Sequence, residues 1–446
     1  MTRPAPRLPV RLLLPFQEFV RTETAGGIVL LAAAVVALVW ANSPLSDSYF
    51  DFWHKEISIE TGIFDAREDL QHWVNDGLMT IFFLVVGLEI KRELVHGELA
   101  GIRLAALPAA AALGGMIVPA LLYTALNAGG EGSRGWGIPM ATDIAFALGV
   151  LALVGSSIPS ALRGFLLALA IVDDIGAILV IAVFYTEDLA LDALTIGLGL
   201  TIVIASLRAV NVQNGILHCA LGIALWAAVF ESGIHPTIAG VVLGLLTPSL
   251  SAPDPAYTEK ARGLLEQYET SVSNDDPSRS EAVLGELEEE TVLRSAPLER
   301  LERLLHPWSS FVIVPIFALA NSGVELSGSA ITDAAESSIT HGVILGLLAG
   351  KVIGIVAATY ITVRLGLADL PRGATWRHII GLGLLAGIGF TVALFITGLA
   401  FDDPQRIDEA RIGILTASTI AGVVGFIFLR YFAAPRTKSA IAEQGP

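Results

Sequence analysis

Cysteine is nearly absent from this 446-residue sequence: Cys219 stands alone, which excludes an intramolecular disulfide. Charge is scarce as well. Asp, Glu, Lys and Arg together make up 16% of the residues, whereas 54% are hydrophobic; a soluble globular chain carries roughly 25% charged residues. With a mean hydropathy of +0.68, this shortage of charge excludes a soluble domain and fits a polytopic membrane protein. No low-complexity tract and no visible sequence repeat is present. The net charge of −16 comes from acids spread over connecting segments and one long insert, so it specifies no basic partner, and no nucleic-acid partner is expected.

What the chain has in abundance is apolar stretches near 20 residues long, the length that crosses about 30 Å of hydrocarbon. They recur at 26–42, 70–92, 104–126, 137–155, 161–185, 190–208, 214–231, 234–249, 307–323, 341–364, 377–400 and 409–432. An all-α protein with about twelve transmembrane helices is expected. The basic start followed by the apolar run from Gly26 to Ala41 could be read as a signal peptide; its long charged lead and the spans that follow favour a retained first helix. The chain then divides into an N-terminal segment (1–25), spans one to eight (26–250), an acidic insert (251–305), spans nine to twelve (306–433) and a tail (434–446). Basic residues set the orientation. Lys55, Arg67, Arg134, Arg406 and Arg411 fall in segments on one side and Lys351 falls inside a span, while every other Lys and Arg falls on the opposite, cytoplasmic side with both termini. The insert carries the acidic run "GELEEET" and apolar positions Leu264, Leu265, Val283, Leu284, Leu287, Val292 and Leu293, which predict amphipathic helices on either side of the polar "SVSNDDPSRS". It reads as a solvated loop or as a partner-binding segment.

Ionisable residues at membrane depth reduce to Asp143, Asp173, Asp174 and Lys351, with Asp76 and Glu89 at the margin. Each acid at the centre of a membrane helix costs roughly 2.5 to 3.5 kcal/mol on insertion scales, so two adjacent ones in "LAIVDDIGAILVIAV" mark a functional site. Lys351 lies about 15 Å from either end of its span. Snorkelling serves residues near helix ends, so this lysine needs a partner inside the bundle, if only to hold two helices together. Neighbouring aspartates point about 100° apart on a helix and should divide their roles. One is expected to pair with Lys351 and the other to face a water-filled cavity, where a proton and a metal cation compete for the same oxygens.

Two spans carry breaks. Pro139, Thr142 and Asp143 interrupt the fourth in "GIPMATDIAFALGV", and Gly387, Gly389 and Thr391 lie at similar depth in the eleventh, "LLAGIGFTVALF". Irregular backbone at membrane depth is tolerated only where it is buried in protein or lines a cavity, and paired interruptions point to a transport site. Half-helix ends would place partial charges in the membrane, and Asp143 and Lys351 have the signs to balance them. Packing glycines are the alternative reading of either span alone.

These residues resemble the NhaA-type sodium/proton antiporter family. The resemblance runs through "WVNDGLMTIFFLVVGLEIKREL", "ATDIAFALG", "ALAIVDDIGAILVIAVFYT", "GIHPTIAGVVLG", "LHPW", "FALANSGV", "GKVIGI" and "LLAGIGFTVALFI", in the family's order over most of the chain. It implies inverted-topology repeats, for which this family is itself a standard example. It also implies an integral protein of the bacterial inner membrane that exchanges cytoplasmic Na⁺ or Li⁺ for external H⁺ electrogenically, with no cofactor and no enzymatic activity. On matching positions Asp174 resembles the principal cation and proton carboxylate, with Asp173 beside it as partner of Lys351. Thr142 and Asp143 resemble the broken-helix residues, so Asp174, Asp173 and Thr142 would supply oxygen ligands to the cation. Glu89, Glu93 and Glu302 match positions linked to pH activation, as does His235, and His306 opens the ninth span in the same region. Glu89 and Glu93 could equally flank a membrane helix. Two features depart from the family pattern: Arg303 stands where a histidine is common, and the insert is longer. The outer segment Ser46–Asp65 resembles the β-hairpin through which family members form homodimers; a structured outer loop is the alternative. Among other functions, a prenyl-diphosphate enzyme would want a second acidic motif that "DDIGA" lacks, an intramembrane aspartyl protease would want separated aspartates, and a channel would not need a buried lysine. A sodium-coupled solute symporter is the nearest rival.

Overall fold

In a membrane each backbone N–H and C=O must be paired within its own segment or against protein, so long apolar stretches fold as helices. The computed structural model describes residues 23–60, 65–155, 158–186, 189–210, 212, 214–249, 255–274, 276–294 and 296–433. The expected N-terminal segment up to residue 22 and the tail 434–446 lie outside the described residues. The chain begins with α1 (Glu23–Ala41), turns through 116° into α2 (Ser46–Trp53), and forms the antiparallel pair β1 (Glu56–Glu60) and β2 (Asp65–Asp69). A short helix (Leu70–Trp73) and a π-turn (Val74–Leu78) lead into α3 (Met79–His96), which is followed by α4 (Ile102–Asn127). A 3₁₀ segment (Ser133–Met140) precedes α5 (Ile144–Val154), and α6 (Ser160–Phe184), α7 (Leu191–Ala209), α8 (Gly215–Glu231) and α9 (Thr237–Leu246) complete this half.

The insert holds α10 (Pro255–Ser273) and α11 (Pro277–Arg294), joined across 274–276, where Ser271 and Ser280 hydroxyls meet at 2.9 Å. Then come α12 (Pro297–Trp308), a π-turn (Ser309–Ile313), α13 (Val314–Asn321), α14 (Gly328–Glu336) and α15 (Ser338–Leu345). A π-turn (Gly346–Gly350) opens α16 (Lys351–Arg364), and α17 (Trp376–Ala386), α18 (Phe390–Ala400) and α19 (Pro404–Phe428) end the bundle, the last running into a π-turn (Leu429–Ala433). Among the described residues, seven helices are long and apolar enough to cross a membrane, or nine when the bent pairs α1–α2 and α17–α18 each count as one span. The protein is thus an all-helical polytopic membrane protein with one small β-pair. Large apolar side chains such as Val39, Leu121, Leu198, Ile202 and Ile216 stay exposed on its outer faces, as a lipid-facing surface requires.

The hairpin is displaced from the sequence expectation. Ser46–Trp53 is helical because Tyr49 and Trp53, one turn apart, bury on the same face. The Tyr49 hydroxyl donates to the Leu319 carbonyl at 2.8 Å. The β-pair therefore starts only at Glu56, and local alternation lost to tertiary burial.

Small residues set how closely helices approach where there is no hydrophobic drive between them. At the crossing of α4 and α16, a Cβ added to Gly354 would lie 2.0 Å from the Gly114 carbonyl oxygen. At that of α3 and α9, a Cβ on Gly87 would lie 2.8 Å from the Val241 carbonyl. Gly354→Val should therefore force α16 away from α4 and destabilise the protein by about 1–3 kcal/mol, the usual penalty of overpacking. A melting temperature in detergent equal to that of the wild type would contradict the close crossing.

Candidate functional site

Two irregular stretches of backbone meet at the centre of the bundle. One is 141–143, between the 3₁₀ segment and α5, and the other is 387–389, between α17 and α18, where the axis bends by 45°. They satisfy each other: the Asp143 N–H donates to the Ile388 carbonyl at 2.7 Å. Pro139 lies inside the 3₁₀ segment, so the break falls just after it; Gly387 and Gly389 cap the two half-helices of the other break. Pro139 instead packs on the π-turn Gly346–Gly350, where a Cβ at Gly346 would lie 2.6 Å from the Pro139 Cβ.

The half-helix ends are met by groups of opposite sign. Asp143 accepts from the Phe146 N–H at 2.9 Å on one oxygen, and from the Thr391 N–H at 3.2 Å and the Thr391 hydroxyl at 2.7 Å on the other. One carboxylate thus faces the positive N-terminal ends of both α5 and α18. At the negative end of the 3₁₀ segment stands Lys351, whose Nζ donates to the Met140 carbonyl and to Asp173 Oδ2. The π-turn Gly346–Gly350 immediately precedes this lysine, and such turns re-aim a helix face at functional sites. Its stem passes Gly115 on α4, where a Cβ would come within 3.7 Å of Lys351 Cδ.

Asp173 and Asp174 project from the middle of α6 and are both buried, as is Lys351. Thr142 Oγ1 lies 2.7 Å from Asp173 Oδ2 and 2.9 Å from the Ala386 carbonyl. A hydroxyl has one hydrogen, so it donates to one of these at a time. Asp173 is therefore held on one oxygen by Lys351 and Thr142. The other Asp173 oxygen and Asp174 Oδ1 accept no hydrogen bond among the described residues. Nor do any three His, Cys, Asp or Glu side chains among the described residues converge as they do at a resident metal centre. The oxygens at this crossing come from carboxylates, a hydroxyl and backbone carbonyls, the donor types that suit a hard cation.

The residues matched to pH response separate into two places. On α3, Arg92 Nη1 is bonded to Glu302 of α12, and its Nε lies 3.7 Å from Glu93 Oε1, while Glu93 Oε2 accepts the Glu98 N–H at 3.0 Å. Glu89 is one turn before Glu93 on the same helix. His235 sits elsewhere, with Nε2 3.2 Å from Asp76 Oδ1 and Nδ1 2.8 Å from Thr237 Oγ1, edge-on to Phe395. Asp76 precedes Glu93 by a helical rise of about 25 Å at 1.5 Å per residue. His306 is exposed. The sequence left Asp76 without a partner and gave no sign of the Met140, Ala386 and Ile388 carbonyls, because every residue has a carbonyl and only the fold decides which are freed.

Removing one member of a buried ion pair leaves an uncompensated charge and typically costs 3–5 kcal/mol, whereas replacing both by apolar groups is often neutral. Lys351→Ala should therefore lower thermal stability markedly. Lys351→Met combined with Asp173→Leu should recover much of that loss. Unchanged melting of the single variant would show that the pair holds nothing together.

With the geometry in place, similarity to known proteins can be set beside it. The family described as Na⁺/H⁺ antiporter 1 matches residues 17–429. The protein called Na⁺/H⁺ antiporter NhaA 2 of Sorangium cellulosum is 45% identical over 445 residues, covering 98% of this chain and 94% of its own. Na⁺/H⁺ antiporter NhaA of Janthinobacterium sp. is 45% identical over 97% of this chain and 96% of its own, and that of Oleidesulfovibrio alaskensis is 46% identical over 96% of each. A match of this extent, running through both broken helices and the paired aspartates, leaves one assignment: the chain belongs to the Na⁺/H⁺ antiporter 1 family.

Proposed function

We propose that this protein exchanges Na⁺ or Li⁺ for H⁺ across the membrane by alternating access around Asp174 and Asp173. The observation that carries this reading is a charge count: at the crossing of two broken helices two adjacent buried carboxylates stand with a single ammonium, which is bonded to Asp173. Asp143 is already balanced by two helix N-termini. With Asp174 ionised the site holds one uncompensated negative charge, which either a proton or an alkali cation neutralises. Asp174, Asp173 and Thr142 supply oxygens to the cation, with water completing the shell. The ion is cargo rather than a resident cofactor, and the protein is a transporter, not an enzyme.

Once neutral, the crossing can pass through the low-dielectric middle of the bundle at small cost, whereas the empty, charged site cannot. That difference couples the two fluxes. The cation enters from the cytoplasm, displaces protons and leaves outside, where protons displace it. A cycle carrying more than one proton per Na⁺ needs a second group that gives up its charge, and the Lys351–Asp173 pair is the candidate next to Asp174. Exchange of this kind is electrogenic. The basic residues place both termini in the cytoplasm. This puts the Arg92–Glu93–Glu302 cluster and Glu89 at the inner mouth and His235–Asp76 toward the outer one, where they adjust activity to pH. The β-pair, lying outside the bundle, is the surface through which two copies join.

The test is a flux measurement in everted vesicles respiring to an acid interior and reported by a pH-sensitive dye. Added Na⁺ should discharge the gradient in the wild type, and Asp174→Asn should reduce this to background. Sodium-driven discharge that survives the substitution removes Asp174 from the mechanism. Because proton and cation share the site, half-saturating Na⁺ should rise with falling pH, by about tenfold per unit for each proton the cation displaces, in the range where protons hold the site. A half-saturation that is flat across pH would mean separate sites.

A further inference from the structure

We propose that the groove between α16 and α17 is a binding site for one anionic phospholipid, with an acyl chain along Val352, Val356 and Ala357 and the phosphate held by Arg364 and Arg377. The groove is a cavity of about 610 Å³ whose wall is almost wholly apolar, formed by those three residues and Tyr360 on α16 and by Trp376 and Ile380 on α17. Its deep end closes where Gly383 of α17 approaches Val352, the residue after Lys351; a Cβ at Gly383 would stand 3.2 Å from the Val352 Cα.

The mouth has a different chemistry. Tyr360 and Trp376 face each other with ring centroids 5.6 Å apart, the amphipathic pair expected where hydrocarbon gives way to headgroups. The Arg364 guanidinium sits 5.9 Å from the centre of the Tyr360 ring, which orients it. Among the described residues Arg364 forms no ion pair. Arg377, next to Trp376, spends one N–H on the Phe432 carbonyl at 3.3 Å and is otherwise exposed. The connection from Arg364 to Arg377 also holds Arg372 and only one acid, Asp369. An apolar slot at membrane depth that opens under two available guanidinium groups has the charge and shape of a lipid with an anionic headgroup, since basic pockets between transmembrane helices bind such headgroups. A protein segment would meet no polar partner along the groove. A lipid seated here would wedge between the helix that carries Lys351 and the half-helix that ends at the 387–389 break, and so fix the spacing of the site.

Native mass spectrometry on the full-length, delipidated protein titrated with phosphatidylglycerol or phosphatidylcholine tests this. The wild type should retain one phosphatidylglycerol at concentrations where phosphatidylcholine is lost. Arg364→Gln and Arg377→Gln should each weaken retention about fivefold, the effect of one basic residue near an anionic surface. Ala357→Trp, which fills the slot, should abolish it, and Ile380→Trp fills it from α17 should the first variant not fold. Arg103→Gln, on the exposed start of α4, should change nothing. Equal retention of both lipids, or retention untouched by the arginine or the slot-filling variants, overturns the proposal. So does loss of a dimer in Ala357→Trp with the lipid count unchanged, because the groove would then be covered by a second copy.

Discussion

Everything at the centre of this protein depends on one buried contact, the Lys351 ammonium on the Asp173 carboxylate. Neither ion could remain charged there alone, because taking either from water into a low-dielectric interior costs several kcal/mol. Together they tie α16 to α6, and through the Met140 carbonyl to the end of the 3₁₀ segment. The pair is weak evidence for stability as such, since an apolar pair of equal volume would hold as well. Its use lies in specifying where three elements meet and in leaving the neighbouring Asp174 without a cation of its own.

The two breaks extend the same logic from side chains to backbone. Interrupting a membrane helix frees carbonyls at one end and N–H groups at the other, and each must find a partner within the protein. Here the breaks cross, so that Asp143 serves two N-termini, Lys351 serves a C-terminal carbonyl, and the irregular strands of backbone bond to each other. A site assembled this way has donors and acceptors already oriented. Around it the helices approach closely through glycines at Gly114 and Gly354 and at Gly87 and Gly244.

Two charged clusters lie at opposite ends of one helical stretch. α3 carries Arg92 and Glu93 at one end, and Asp76 stands in the π-turn before its other end. That stretch of helix also packs closely on α9. The apolar groove lies between α16 and α17.

By itself the sequence determined the class and the chemistry. Apolar run length requires helices in lipid, the scarcity of charge makes each buried ionisable residue conspicuous, and the motifs around Asp143, Asp173–Asp174, Lys351 and Gly387–Gly389 are local and contiguous. It also implied that Lys351 needs an acid, because a lysine at that depth has no water to reach. The tertiary structure decided what depends on positions distant in the chain. It chose Asp173 Oδ2 rather than Asp174 for the lysine, the Thr391 amide and hydroxyl for Asp143, Asp76 for His235, and the carbonyls of Met140, Ala386 and Ile388 as acceptors for Lys351, Thr142 and the Asp143 N–H. It also made Ser46–Trp53 a helix against its alternating pattern, since burying Trp53 and seating Tyr49 on α13 outweighs local preference. The division has a physical reason: hydrophobicity and charge are properties of a residue, whereas a hydrogen bond belongs to a pair, and the pair exists only once the helices have crossed.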